Sequence, residues 1–180
     1  MVEVPSLPLQ NPVLVLGGAA SGKSLWAERL VERLAPRRLY LATAEAGDGE
    51  MGSRIARHRA RRGAGWRTIE APLETAAALA QARPDEAVLL DCATLWLSNH
   101  MLAGSDLAAE EDRLLAALGA CPAPVAVVSN EIGLGLVPET ALGRRFRDAQ
   151  GALNQRLAAA AGCVVFVAAG LPLALKGALP

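Results

Sequence analysis

The stretch Val13-Leu14-Val15-Leu16-Gly17-Gly18-Ala19-Ala20-Ser21-Gly22-Lys23-Ser24 decides the fold. Val13–Leu16 is a short, unbroken apolar run closed by glycines, the pattern of a buried strand. Leu25–Leu34 follows with helical spacing, and Pro36 ends it. Between strand and helix, Gly17–Ser24 matches G-x-x-x-x-G-K-[ST] in full. Glycines at such a turn let backbone N–H groups point inward around phosphate oxygens, and the helix start adds partial positive charge. The motif predicts a phosphate-binding loop: Gly17, Gly18, Ala19, Ala20, Ser21 and Gly22 as the cradle, Lys23 on the β- and γ-phosphates, and Ser24 as a ligand for Mg2+. The alternative for such a stretch is a chance glycine-rich turn.

Outward from this loop, apolar runs alternate with helical ones. Strands are expected at Leu39–Thr43, Trp66–Ile69, Ala87–Cys92, Val125–Ser129 and, last, Val164–Ala169. Helices are expected at Leu73–Gln81, Leu95–Leu102, Leu107–Leu118 and Ala141–Ala161. Strands that are apolar throughout and alternate with helices predict an α/β, three-layer fold of the P-loop NTPase kind, with a mostly parallel central sheet. With 180 residues, 52% of them apolar and only 3% aromatic, one nucleotide-binding domain spanning 1–180 with an aliphatic core is expected, its residues 1–12 a loose proline-bearing leader.

Acidic and basic residues balance at 18 each, so overall charge points to neither nucleic acid nor an anionic membrane surface. No apolar run reaches the roughly 18 residues of a membrane span. Cys92, Cys121 and Cys163 are scattered, without a metal-binding spacing, and read as reduced packing residues of a cytoplasmic protein.

Two further features bear on chemistry. Asp91 closes the Ala87–Leu90 run, where a carboxylate serves Mg2+ or the nucleotide, although a helix N-cap would use the same residue type. Arg54, Arg57, Arg59, Arg61 and Arg62 surround His58 within nine positions. If helical, Arg54, His58 and Arg62 share a face. Such a cluster suits a triphosphate, and neighbouring cations favour the neutral imidazole, a competent nucleophile toward phosphorus. A solvated basic helix and a nucleic-acid contact are the competing readings.

Several stretches together resemble the bifunctional adenosylcobinamide kinase / adenosylcobinamide-phosphate guanylyltransferase family of cobalamin biosynthesis. They are Leu16–Ser24, Tyr40-Leu41-Ala42-Thr43-Ala44, Glu50-Met51 with Arg54-Ile55 and His58-Arg59, Trp66–Glu70, and Asp91-Cys92 with Thr94–Asn99. Ser129-Asn130-Glu131-Ile132-Gly133-Leu134-Gly135-Leu136-Val137-Pro138-Glu139, Arg145–Asp148 and Leu153–Leu157 complete the set, in order, from about Val13 to Gly177. The Asn130–Glu139 run is its most specific part.

The resemblance implies phosphorylation of adenosylcobinamide with ATP or GTP. It then implies transfer of GMP from GTP, through a GMP–histidine intermediate, to adenosylcobinamide phosphate, with release of pyrophosphate. By position the histidine is His58, and the implied nucleotide contacts are Gly17–Ser24, Ala42, Thr43, Ala44, Arg59, Ala60, Arg61, Arg62, Glu70 and Asp91. It also implies a homo-oligomer, a trimer. Departures are the proline-rich leader, an end soon after Lys176-Gly177, and Arg57 where some members carry a second histidine. Gly133 and Gly135 would let the Asn130–Glu139 loop close over a large corrinoid, or mark an ordinary turn. A plain small-molecule kinase, with His58 dispensable, is the nearest rival reading.

Overall fold

The computed structural model describes residues 11–44 and 63–180. The arginine cluster around His58 and the leader up to residue 10 lie outside them. Seven strands are described: β1 (Val13–Gly17), β2 (Arg37–Ala42), β3 (Trp66–Glu70), β4 (Glu86–Asp91), β5 (Val125–Asn130), β6 (Cys163–Ala168) and β7 (Leu171–Lys176). They form one sheet in the order β3-β2-β4-β5-β1-β6-β7, parallel throughout except for the β6–β7 pair. The described helices are α1 (Lys23–Leu34), α2 (Thr75–Leu79), α3 (Ala93–Ala103), α4 (Leu107–Ala120) and α5 (Ala141–Ala160).

Alternation along the strands assigns each side chain to a layer. Leu14, Leu16, Leu39, Leu41, Val88 and Leu90 face α2–α5, with Leu97, Leu114, Leu153 and Leu157 packed against them. Val13, Val15, Leu89 and Val128 face the other way, onto Ala27, Leu30 and Val31 of α1. Each fully buried leucine or valine contributes about 1.5–3 kcal/mol of transfer free energy. A sheet covered on both faces explains why these strands read as unbroken apolar runs.

Two expectations need correction. Val164–Ala169 is not the last strand: the chain turns at Ala169 (φ 51) and Gly170 (φ 78) and returns as β7, antiparallel to β6. Two consecutive positive φ values are what a two-residue hairpin turn requires. The residues just before β1 are not loose: the Asn11 Oδ1 accepts from the Val125 amide at 2.7 Å, and the Pro12 carbonyl accepts from Gly162 at 3.0 Å.

Arg67 and Glu86 brace the β3–β2–β4 end, Arg67 Nε donating to Glu86 Oε1 at 2.7 Å. That guanidinium holds the buried Glu86 carboxyl below its usual range despite the cost of burial. Cys92, Cys121 and Cys163 are all free thiols, as expected. Among the described residues no helix is long and apolar enough to cross a membrane.

Candidate active site

The phosphate loop leaves β1 at the carboxyl edge of the sheet and enters α1. A Cβ on Gly17 would lie 2.5 Å from both the Val167 carbonyl and Ser21 Oγ, so only glycine fits there. Ala20 (φ 55) and Gly22 (φ 93) both take left-handed backbone, the conformation that turns amides into a concave anion site. Ser21 N donates to Gly18 O at 3.3 Å, and Gly170 N donates to Ser21 O at 2.8 Å, tying the loop to the β6–β7 turn. No side chain caps the start of α1, which leaves its first amides to an anion. Lys23 is buried and lies along the loop, its Nζ donating to Gly18 O at 3.0 Å. Ser24 follows, half-buried. Ser21 Oγ is buried without a hydrogen-bond partner, a donor directed into the loop's own space.

The carboxyl ends of β2, β3 and β4 form the neighbouring bank. Ala42 pairs with Glu70 on one side and Asp91 on the other, so three of the expected contact positions stand in one row. Glu70 is exposed at the outer end of that row. Thr43 joins the strands: its hydroxyl donates to Cys92 O and accepts from Cys92 N, both at 2.8 Å, and its carbonyl accepts from Asn99 Nδ2 at 2.9 Å. Its side chain is thereby committed to the protein. Asp91 is not a helix N-cap, because Cys92 occupies the cap position of α3. Its Oδ2 accepts instead from the Tyr40 hydroxyl at 3.0 Å.

Burial pushes the Cys92 thiol up to about 11, the Asp91 charge adds to the rise, and the Lys23 charge opposes it. Cys92 and Leu89 pack in one apolar cluster with Ala27 and Leu30 of α1, so the bank lies beside the helix that the phosphate loop enters. Among the described residues no three His, Cys, Asp or Glu side chains form a metal cluster. The hydroxyl of Ser24 and the carboxylate of Asp91 are hard oxygen donors of the kind Mg2+ uses when phosphates and water supply its remaining ligands.

His58, Arg59, Ala60, Arg61 and Arg62 lie outside the described residues. The other histidine, His100, is buried in α3, with Nδ1 3.0 Å from Ser105 Oγ and Nε2 3.2 Å from Leu73 O. It packs edge-on against Trp96.

Sequence reasoning missed a buried polar cluster beneath the end of β5. Ser129 Oγ donates to Asn154 Oδ1 at 2.7 Å, Gln150 Nε2 donates to both Ser129 Oγ and Asn154 Oδ1, and Asn154 Nδ2 donates to Asn130 O at 3.0 Å. Thr94 Oγ1 accepts from Asn130 N at 2.8 Å. The available signal was Gln150 and Asn154 four apart on an otherwise apolar helix face.

The profile of the cobinamide kinase / cobinamide phosphate guanyltransferase family matches residues 13–175, which include both banks of the site. The chain belongs to that family. It is 51% identical to the bifunctional adenosylcobalamin biosynthesis protein CobP of Pseudomonas aeruginosa, over 91% of this chain and 96% of that one. It is 44% identical to the bifunctional adenosylcobalamin biosynthesis protein CobU of Salmonella typhimurium and 41% identical to that of Escherichia coli, in each case over 91% of this chain and 99% of the relative. A solved structure from Pyrococcus horikoshii OT3 shares the fold, with a TM-score of 0.54 at 11% identity, covering 96% of this chain and 89% of that one.

Proposed function

We propose that this chain carries both activities of its family. It phosphorylates adenosylcobinamide with ATP or GTP, then moves GMP from GTP through His58 to adenosylcobinamide phosphate, giving adenosylcobinamide-GDP and pyrophosphate. The observation that carries the reading is the family match across residues 13–175 combined with a complete phosphate loop whose lysine lies along it.

In the kinase step the loop amides and Lys23 hold the β- and γ-phosphates, so that transition-state charge meets preorganised donors. Ser24 and Asp91 would hold Mg2+, which neutralises phosphate charge when bound. Ala42–Ala44, Glu70 and Asp91 serve the nucleotide from the neighbouring bank, Thr43 through backbone placement because its hydroxyl is taken. In the transferase step neutral His58 attacks the α-phosphorus, and Arg59, Arg61 and Arg62 receive the charge of the leaving pyrophosphate. The corrinoid meets the loop after β5, whose Leu134, Leu136 and Val137 are exposed. That loop adjoins the phosphate loop, since Glu131 N donates to Gly17 O at 3.0 Å. The working unit is a cytoplasmic homo-oligomer, a trimer by family resemblance.

The test is mass spectrometry of the protein after incubation with GTP or with ATP. GTP should leave a GMP-sized adduct that acid removes and base spares, because a phosphoramidate leaves through its protonated ring nitrogen. ATP should leave none. His58→Ala should lose the adduct and keep its fold. An adduct that persists in the variant, or one that resists acid, assigns the nucleophile elsewhere.

A further inference from the structure

Asp91 is not the only carboxylate at the carboxyl edge of the sheet. β5 runs beside β1 with Asn130 level with Gly17, which places Glu131 one residue beyond the point where the phosphate loop departs. The Glu131 amide donates to Gly17 O at 3.0 Å. Both backbone groups of Asn130 are held from below, its amide by Thr94 Oγ1 and its carbonyl by Asn154 Nδ2. The strand end that carries Glu131 is therefore fixed against the phosphate loop by buried side chains.

The carboxylate itself is oriented. Its Oε1 accepts from the Gly133 amide at 2.6 Å, and a Cβ on Gly133 would come within 2.9 Å of that oxygen. The Glu131 side chain makes no ion pair and no other hydrogen bond among the described residues, which leaves Oε2 for a donor on a ligand. Asp91 stands on β4, one strand farther from β1, and already accepts from Tyr40.

We propose that Glu131 takes the proton of the acceptor hydroxyl during phosphoryl transfer, a role that rests on the kinase reading above. The hydroxyl oxygen forms the new bond to the γ-phosphorus as the bond from that phosphorus to the bridging oxygen breaks. The electron pair leaves with the nucleoside diphosphate, and Lys23 and the loop amides receive its charge. The proton passes to Glu131 and from there to water. A carboxylate held by one oxygen and open at the other, on a strand end that adjoins the phosphate loop, suits general-base work.

The experiment compares Glu131→Gln, Glu131→Asp and the control Glu32→Gln, an exposed carboxylate on α1, in the full-length protein. Glu131→Gln keeps an acceptor for the Gly133 amide and removes the base. Its kcat for cobinamide phosphorylation should fall about a hundredfold or more. The KM for ATP should stay within about twofold, and labelling of the protein by GTP marked at the α-phosphate should be unchanged. Glu131→Asp should recover part of the loss, and Glu32→Gln should match wild type. A wild-type phosphorylation rate in Glu131→Gln overturns the proposal. So does a parallel loss of phosphorylation and labelling with a lowered melting temperature, which would make Glu131 a loop staple alone. If the wild-type protein itself phosphorylates no cobinamide while still accepting GMP, the kinase reading falls, a result separable from failure confined to the variant.

Discussion

Two glycine-bearing loops leave adjacent, paired strands at the same edge of the sheet, and they are built on opposite plans. The loop after β1 is closed on itself and on its neighbours. Gly17 has no room for a Cβ, Gly22 holds φ 93 where a Cβ would come within 3.1 Å of Gly170 Cα, and Lys23 is folded along the loop. Among the described residues the loop after β5 is fastened only at its ends. Glu131 grips Gly17 O and Gly133 at one end, and at the other Arg144 Nη1 donates to the carbonyls of Pro138 and Glu139 while Thr140 caps α5. Between these ends Leu134, Leu136 and Val137 are 83%, 96% and 65% exposed. A triphosphate is small, charged and always the same shape, so its cradle is over-determined by backbone. The acceptor of the proposed function is large and partly apolar and would call for surface, and this span exposes leucine and valine.

The comparison can be broken most severely at Lys23. Lys23→Ala should lower cobinamide phosphorylation by roughly a hundredfold or more, because a preorganised charge on the transferring group is lost. A near wild-type kcat would mean the closed loop is not where the phosphates sit. Next come the glycines. Gly17→Ala should cost about 1–3 kcal/mol in urea denaturation, since its Cβ meets a backbone carbonyl that cannot swing aside. Gly135→Ala should stay within about 0.5 kcal/mol of wild type, its nearest obstacle being Ile132 O at 4.0 Å. Equal costs at the two positions would erase the distinction. The smallest effect belongs to Leu136→Ser. Stability should not move by more than about 0.5 kcal/mol, while the KM for cobinamide should rise about fivefold, equivalent to losing ~1 kcal/mol of apolar contact. An unchanged KM would remove Leu136 from the acceptor site.

Much of this was legible before any coordinates. The apolar runs of β1, β4 and β5 are buried on both faces, so burial alone wrote them into the sequence. The phosphate loop was readable because its backbone demands glycine at fixed places. β7 escaped because Leu171-Pro172-Leu173-Ala174-Leu175 follows a Gly and contains a proline, a residue tolerated only where a strand has an open edge. Its outward leucines are exposed, so no buried face marked it as a strand. Thr43 read as a nucleotide contact, yet its hydroxyl bridges two strands that are far apart in sequence, a use no local pattern encodes. Ser129, Gln150 and Asn154 likewise gain meaning only when α5 is laid over the end of β5.

The strand order also imposes a timetable. β1 lies between β5 and β6, so the first of the described strands has no partner among them until residues more than a hundred positions downstream exist. At ribosomal speeds that is a wait of roughly 5–20 s for an apolar segment with nothing to pair with. The phosphate loop, written within the first 24 residues, leans on Val167 and Gly170, and so is among the last parts of the molecule to take shape. Nucleotide therefore cannot template the early folding of this chain, because a nascent protein acquires its grip on triphosphate only after its carboxyl-terminal strands have docked.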